Sequence, residues 1–180
     1  MISYLNRYYH HNDKIPFMTR KNNFRSAGAI VLGMHDALVS LTGLIVGLAV
    51  AMADRYVIIL TAIIASITAS LSMGASNYLA TRAGDNDGGH AFKYALYTGG
   101  AYMATCAMLI VPFFMFENRV AEIAAMFVIA VAEIFGFNYY LGRTRRQPYM
   151  RNFLEMLGVC TGVSIVAFLI GLCANECFGL

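Results

Sequence analysis

Residues 56–81 read YVIILTAIIASITASLSMGASNYLAT and contain no charged side chain. A helix needs about 20 predominantly apolar residues to cross the hydrocarbon core of a bilayer. This segment exceeds that length, and its polar residues are small hydroxyls and one amide. The stretch therefore predicts a transmembrane helix.

Four more segments of the chain are equally long and apolar. Of the 180 residues, 59% are hydrophobic and only 13% are charged, and a soluble domain of this size lacks the interior to bury so much apolar surface. We therefore predict an all-α integral membrane protein, with a polar segment at 1–25 and a single five-helix transmembrane domain at 26–180. The four further helices are expected at 27–53, 91–116, 120–142 and 152–174.

The basic residues predict the orientation. After five crossings, the N-terminal segment and the second and fourth connections share one side, which holds all but Arg55 and Arg119 of the 13 Lys and Arg. The positive-inside rule then places the N-terminus in the cytosol and the C-terminus outside. Basic residues confined to short connections argue against nucleic-acid binding. Since no organelle-targeting segment is recognisable, we expect the plasma membrane of a prokaryote.

Small residues recur at helical spacing in three of the segments. Such stripes let helix backbones approach closely within lipid, where apolar side chains gain little from leaving hydrocarbon. They predict helix contacts at Gly43 and Gly47, at Gly158 and Gly162, and along Ser66, Ser70 and Gly74.

Two acidic residues fall deep inside predicted helices. Asp36 shares a helix face with Gly33, Ser40 and Gly43, and a carboxylate there could bind a cation or carry a proton. Glu133 is equally deep, and its role in ion passage competes with simple pairing to a tyrosine or to Asn138. Glu122, nearer the end of the same segment, is expected to be a solvated helix end.

No motif for covalent catalysis, phosphate binding or a di-iron centre is present, so we do not expect an enzyme. The four cysteines do not form a disulfide framework, and Cys173 and Cys177 are at most a weak metal or redox pair. Residues 1–25 are expected to be a solvated, partly disordered cytosolic segment, with His10 and His11 leaving open a metal-sensing arm.

Three stretches resemble the vacuolar iron transporter family. VLGMHDALVS at 31–40 resembles its first-helix motif, LSMGASNYLATR at 71–82 its second-helix signature, and residues 155–171 its closing helix. The resemblance implies a homodimer of five-helix subunits that exports Fe²⁺, and often Mn²⁺, from the cytosol in exchange for protons. The metal is cargo, and no permanent cofactor is expected. By position, the resemblance assigns Asp36 and Met73 to the ion path.

The chain departs from the family pattern in three places. Ala37 replaces the glycine after the motif aspartate, Ala65 stands at the transport glutamate, and the cytosolic metal-binding domain between the second and third helices is missing. We therefore expect Asp36 and Met73 to be completed as metal ligands by His35, Asn77 or Glu133. Two other functions stay open: a non-transporting membrane scaffold or partner subunit, and a membrane redox or metal-sensing protein that uses His10, His11 and the cysteines.

Overall fold

The computed structural model describes residues 14–51, 54–84, 88–145 and 149–178. His10 and His11 lie outside these ranges. In the described part, every element of regular secondary structure is a helix: α1 (Lys14–Ala51), α2 (Arg55–Gly84), α3 (Gly88–Ile110), α4 (Pro112–Met115), α5 (Arg119–Arg145) and α6 (Tyr149–Phe178).

Five spans are long and apolar enough to cross a membrane, as the sequence predicts. They run over Arg25–Ala51, Arg55–Gly84, His90–Met115, Arg119–Tyr140 and Met150–Cys177. Helix α1 differs from the prediction at its start, because it begins at Lys14 and continues unbroken into the first span. Residues 14–25 are therefore helical.

The third span is a broken helix. Residues 91–116 were expected to form one helix, but α3 ends at Ile110 and the single turn of α4 begins at Pro112. Proline has no backbone N–H and its ring clashes with the carbonyl four residues earlier, so it is tolerated in the first turn of a helix and breaks a helix interior.

The side chains of Asp54 and Asn118 cap the N-termini of α2 and α5. Asp54 Oδ1 accepts a hydrogen bond from Tyr56 N at 2.8 Å, and Asn118 Oδ1 accepts one from Val120 N at 2.9 Å. Each satisfies a backbone donor that the first turn of a helix leaves without an intrahelical partner. The tight turns into α2 and α5 follow from these caps.

Helix α1 is the centre of the bundle. Within its most apolar stretch 56% of the residues are buried, against 17% for α6 and 22% for α2, and its main neighbours are α3 and α6. The core around it is formed by fully buried apolar side chains, among them Leu38, Leu41, Ile45, Leu109, Met126 and Ile134.

Close backbone contacts hold α1 and α2 to their neighbours. A Cβ on Gly33 would overlap the carbonyl oxygen of Thr98 on α3, and one on Gly47 would lie 3.3 Å from the carbonyl oxygen of Ala167 on α6. On α2, Gly74 packs against α3 at Gly99. The predicted contacts of the first and second helices are thus confirmed.

The prediction for Gly158 and Gly162 is wrong within this chain, since nothing lies within 4 Å of a Cβ at either position. Helix α6 meets α1 through Ala167 and Gly171 instead. Gly158 and Gly162 each lie two positions from the buried Cys160, which places them about 200° around the helix from the packed face.

A candidate ion site in the membrane spans

Asp36 lies on the side of α1 that faces α3. Asp36 is half-buried, and its carboxyl group lies within electrostatic range of Tyr102 and Cys106. Among the residues that the structure describes, none donates a hydrogen bond to its carboxylate or forms an ion pair with it. Asp36 is eleven residues into its span from Arg25, a depth of about 16 Å along the helix.

A row of polar side chains leads from Asp36 into the bundle. Ser40 Oγ donates to the backbone carbonyl of Asp36 at 2.6 Å and lies 2.8 Å from the Tyr102 hydroxyl. Because the single Ser40 proton is used by Asp36, the Tyr102 hydroxyl donates to Ser40 Oγ. Cys106, which is fully buried, contacts the hydroxyls of Tyr102 and of Ser66. The row therefore joins α1, α3 and α2.

Glu133 approaches the same row from α5. It lies within electrostatic range of Cys106, both carboxylate oxygens are buried, and neither has a hydrogen-bond partner among the described residues. Pairing of Glu133 with Asn138, one of the alternatives for this residue, is not observed: Asn138 Nδ2 donates to the Ile134 carbonyl at 2.8 Å and to Met156 Sδ at 3.1 Å.

The structure thus brings both Asp36 and Glu133 within electrostatic range of Cys106. A charged side chain at membrane depth costs at least about 2.5–3.5 kcal/mol on insertion scales and is normally paired or neutralised. Because the oxygens of Glu133 are buried with no partner in the described part of the chain, this carboxyl group needs an ion or a proton. Two such groups beside a row of hydroxyls can bind cations and exchange them for protons.

Asn77 is placed elsewhere, in a contact between α2 and α3. Its Nδ2 donates to Thr98 Oγ1 and, at 3.4 Å, to the Tyr94 carbonyl, while its Oδ1 accepts from Thr81 Oγ1 at 3.3 Å. It lines a cavity of about 310 Å³ that Arg25 also lines. These hydrogen bonds give Asn77 a structural role in joining the two helices.

His35 is also separate from the two carboxyl groups. Met73 is half-buried on α2, one turn before Asn77. His35 projects to the other side of α1 from Asp36 and lines a cavity of about 390 Å³ between α1, α5 and α6. The five predicted ligands therefore do not converge. Within the described ranges, no group of three or more His, Cys, Asp and Glu is close enough to hold a metal ion.

Tyr102 and Cys106 were missed by the sequence analysis. The signal was present as a stripe on α3, where Thr98, Tyr102, Thr105 and Cys106 recur at helical spacing and are all buried. Read alone, each of these residues is an ordinary helix constituent. Only their common face indicates a polar seam inside an apolar span.

Glu122 was also misjudged, because it is buried and not solvated. Its side chain is 3% exposed, and Oε1 lies 2.8 Å from Nε of Arg55. The hydrogen bonds of Arg55 go to the carbonyl oxygen of Phe113, from Nε at 3.0 Å and from the terminal NH2 group, so its contact with Glu122 is an ion pair without a hydrogen bond. This ion pair joins the start of α2 to the start of α5 and to α4.

Comparison with known proteins gives one family. No curated protein matches the chain. Residues 27–86 match the sequence profile of the VIT family, and this range covers nearly all of the first span, which carries Asp36, and the whole of α2. Over its first two spans the chain is therefore similar to the VIT family. This similarity is consistent with membership of the vacuolar iron transporter family.

Proposed function

We propose that this chain is a secondary transporter that moves a divalent transition metal, Fe²⁺ or Mn²⁺, out of the cytosol in exchange for protons. The VIT match and the five membrane-spanning helices point to membrane metal-ion transport. The observation that carries the proposal is the pair of carboxyl groups without described partners, Asp36 and Glu133, both within electrostatic range of Cys106.

Exchange follows from the chemistry of a carboxyl group in a membrane. A carboxylate can hold a metal ion or a proton, and the two compete for the same oxygens. A site that must be neutral before it is exposed to the other side therefore couples outward movement of metal to inward movement of protons. Asp36, partly exposed, is the ionisable metal ligand in this proposal, and Glu133, buried, is the second proton carrier.

Met73 favours a transition metal over Mg²⁺ or Ca²⁺, because its thioether is a soft ligand. Within the described part of one subunit, no group of three or more His, Cys, Asp and Glu could hold a metal ion. Helix α2 is only 22% buried along its most apolar stretch, so most of its surface is available to a second copy. We propose a homodimer in which the α1 and α2 helices of two subunits complete the ligand set, with the N-termini in the cytosol of a prokaryotic plasma membrane.

A non-transporting scaffold of the same fold is the second candidate. It is favoured by Ala65, which stands where the resemblance places a transport glutamate and has no ligand atom in its side chain. It predicts that the protein folds and assembles equally well without Asp36 or metal.

The test is uptake of Fe²⁺ and of Mn²⁺ into proteoliposomes under an imposed pH gradient. We compare the wild type with Asp36→Asn and use Asp54→Asn, a change at an exposed helix cap, as the matched control. Transport predicts gradient-dependent flux that Asp36→Asn abolishes and Asp54→Asn retains. Folded wild-type protein that moves neither metal would reject the transporter in favour of the scaffold.

A further inference from the structure

The mainly apolar cavity between α1, α5 and α6 contains several polar side chains that the proposed transport path does not use. It has a volume of about 390 Å³. We infer that it is a second binding site for a divalent transition-metal ion. The side chains that could coordinate the ion are His35, Asn138, Asn152, Glu155 and Met156.

Helix geometry explains why these residues face one space. On α6, Asn152, Glu155 and Met156 are spaced three and four residues apart, and such positions share one face of a helix. On α1, His35 lies one turn after Val31, which also lines the cavity. Successive helix residues are rotated by about 100°, so Asp36 faces the Tyr102 side while His35 faces this one.

Two groups that line the cavity, the amide oxygen of Asn138 and the imidazole of His35, have no hydrogen-bond partner among the described residues. Asn138 is 3% exposed, and its Nδ2 is engaged by the Ile134 carbonyl and by Met156 Sδ. No described residue donates to its Oδ1, and none forms a hydrogen bond with the His35 imidazole. An amide oxygen and an imidazole without described partners therefore line one cavity, where both are free to bind a ligand.

Glu155 supplies the negative charge. Its only ion pair in the described structure is with Arg151, at 2.9 Å, and both side chains are largely exposed, at 62% and 78%. An exposed pair of this kind contributes at most about 1 kcal/mol, so Glu155 can leave Arg151 for a cation at little cost. An imidazole together with carboxylate and amide oxygens suits Mn²⁺, Fe²⁺ or Zn²⁺ better than Mg²⁺ or Ca²⁺.

The position suggests what the site does. It lies at the basic end of the bundle, between the end of α5 and the start of α6, and His35 is adjacent in the chain to Asp36. A metal ion held at His35 lies at the level of Asp36 on a different face of α1, and we assign it the role of a loading site beside the transport path. This role rests on the proposed function, whereas the binding itself does not.

Mn²⁺ is the probe, because its unpaired electrons report both affinity and ligand type. The purified full chain in detergent micelles, with any polyhistidine tag removed, is titrated with Mn²⁺, and the electron paramagnetic resonance signal of free Mn²⁺ gives Kd. Pulsed measurements on the bound ion detect coupling to an imidazole nitrogen. The variants are His35→Ala and Glu155→Gln, with His90→Ala as the control histidine at the same end of the bundle and outside this cavity.

We expect His35→Ala to remove the nitrogen coupling and to raise Kd at least about tenfold, since even residues that only support a metal ligand cost 10–100-fold in affinity. Glu155→Gln should raise Kd and keep the coupling, and His90→Ala should change neither. Nitrogen coupling that survives His35→Ala, or its absence in the wild type, would overturn the inference. If His35→Ala does not fold, Glu155→Gln decides, because its side chain is exposed and an unchanged Kd would reject the site.

The two proposals fail in different ways. Asp36→Asn should abolish flux and leave the nitrogen-coupled Mn²⁺ in place. Loss of binding in His35→Ala without any wild-type flux would keep the second site and reject the transporter. Gradient-dependent flux with no nitrogen-coupled Mn²⁺ would support the transporter and reject the second site.

Discussion

Glu122 and Glu133 lie on the same helix, about three turns apart, in surroundings that differ sharply. Glu122 is buried against Arg55, which also binds the Phe113 carbonyl, at the end of the bundle where α1 meets α2 and α4 meets α5. Glu133 has buried oxygens with no described partner. Glu122 thus joins helices through an ion pair, whereas Glu133 carries either an unpaired negative charge or a proton.

The same contrast extends to the two halves of the bundle. Near Glu122, Arg119 also reaches across to the Ala49 carbonyl at 3.4 Å, and side chains cap the starts of α2 and α5. In the basic half, the cavities lined by Arg25 and Asn77 and by His35 and Asn138 open between helices. Polar contacts therefore join the helices at one end of the bundle, whereas cavities lie between helices in the basic half.

The largest effect on stability is expected from Arg55→Ala. Removing one partner of a buried ion pair leaves the other charge uncompensated, which costs about 3–5 kcal/mol in free energy of unfolding. The matched control is Arg151→Ala, which breaks an Arg–Glu pair of nearly the same length, 2.9 against 2.8 Å, on an exposed surface and should cost less than about 1 kcal/mol.

Both variants are measured by equilibrium unfolding in mixed detergent micelles. A double-mutant cycle with Glu122→Ala isolates the coupling between Arg55 and Glu122. If Arg55→Ala and Arg151→Ala lower the free energy of unfolding equally, the distinction between the Arg55–Glu122 pair and the exposed Arg151–Glu155 pair fails.

The second effect concerns the contact of α1 with α3 in the basic half. Gly33→Ala places a methyl group against the Thr98 carbonyl, and overpacking of this kind costs about 1–3 kcal/mol. Gly100→Ala on α3 is the control: a Cβ there meets nothing within 4 Å, so the substitution should be neutral or stabilise by up to about 1 kcal/mol. Thermal unfolding distinguishes the two, and a neutral Gly33→Ala would mean that this half packs loosely throughout.

How far the sequence predicts this structure depends on the range of the interaction. Five helices are predicted from length and hydropathy, because in lipid a long uncharged segment has few alternatives to a spanning helix. The contacts at Gly43 and Gly47 are predicted by spacing, but the same spacing misleads at Gly158 and Gly162. A small-residue stripe shows that a helix can be approached closely and does not show which neighbour approaches.

The candidate site shows the same limit. Asp36 and Glu133 are found from the sequence because charge is rare in a span, whereas their meeting place at Cys106 depends on which faces of α1, α3 and α5 pack together. His35 adjoins Asp36 in sequence, and the helix turn sends it to a different cavity. The partnership of Glu122 with Arg55 joins residues far apart in the chain, so neither local spacing nor composition could indicate it.

A third and smaller effect tests whether Asn77 is structural. Asn77→Ala removes its hydrogen bonds to Thr98 and to the Tyr94 carbonyl, which should lower the free energy of unfolding by about 1–2 kcal/mol. Ser76→Ala, at the exposed neighbouring position, should leave stability unchanged. Metal flux per folded protein should persist in both. If Asn77→Ala abolishes metal flux while the protein stays stable, the result would indicate that Asn77 is a metal ligand.

The smallest effect on stability and the largest on transport should come from one substitution, Glu133→Gln. The amide has nearly the shape of the protonated acid, and no described donor or cation loses a partner, so the free energy of unfolding should change by only about 0.5 kcal/mol. Glu122→Gln, the same chemical change on the same helix, leaves Arg55 without its counter-charge and should destabilise strongly. In proteoliposomes, Glu133→Gln should remove proton-coupled flux, because the amide can neither bind nor release a proton at neutral pH. A Glu133→Gln protein as unstable as Glu122→Gln would show that Glu133 also fastens helices, and the contrast between the two glutamates would fail.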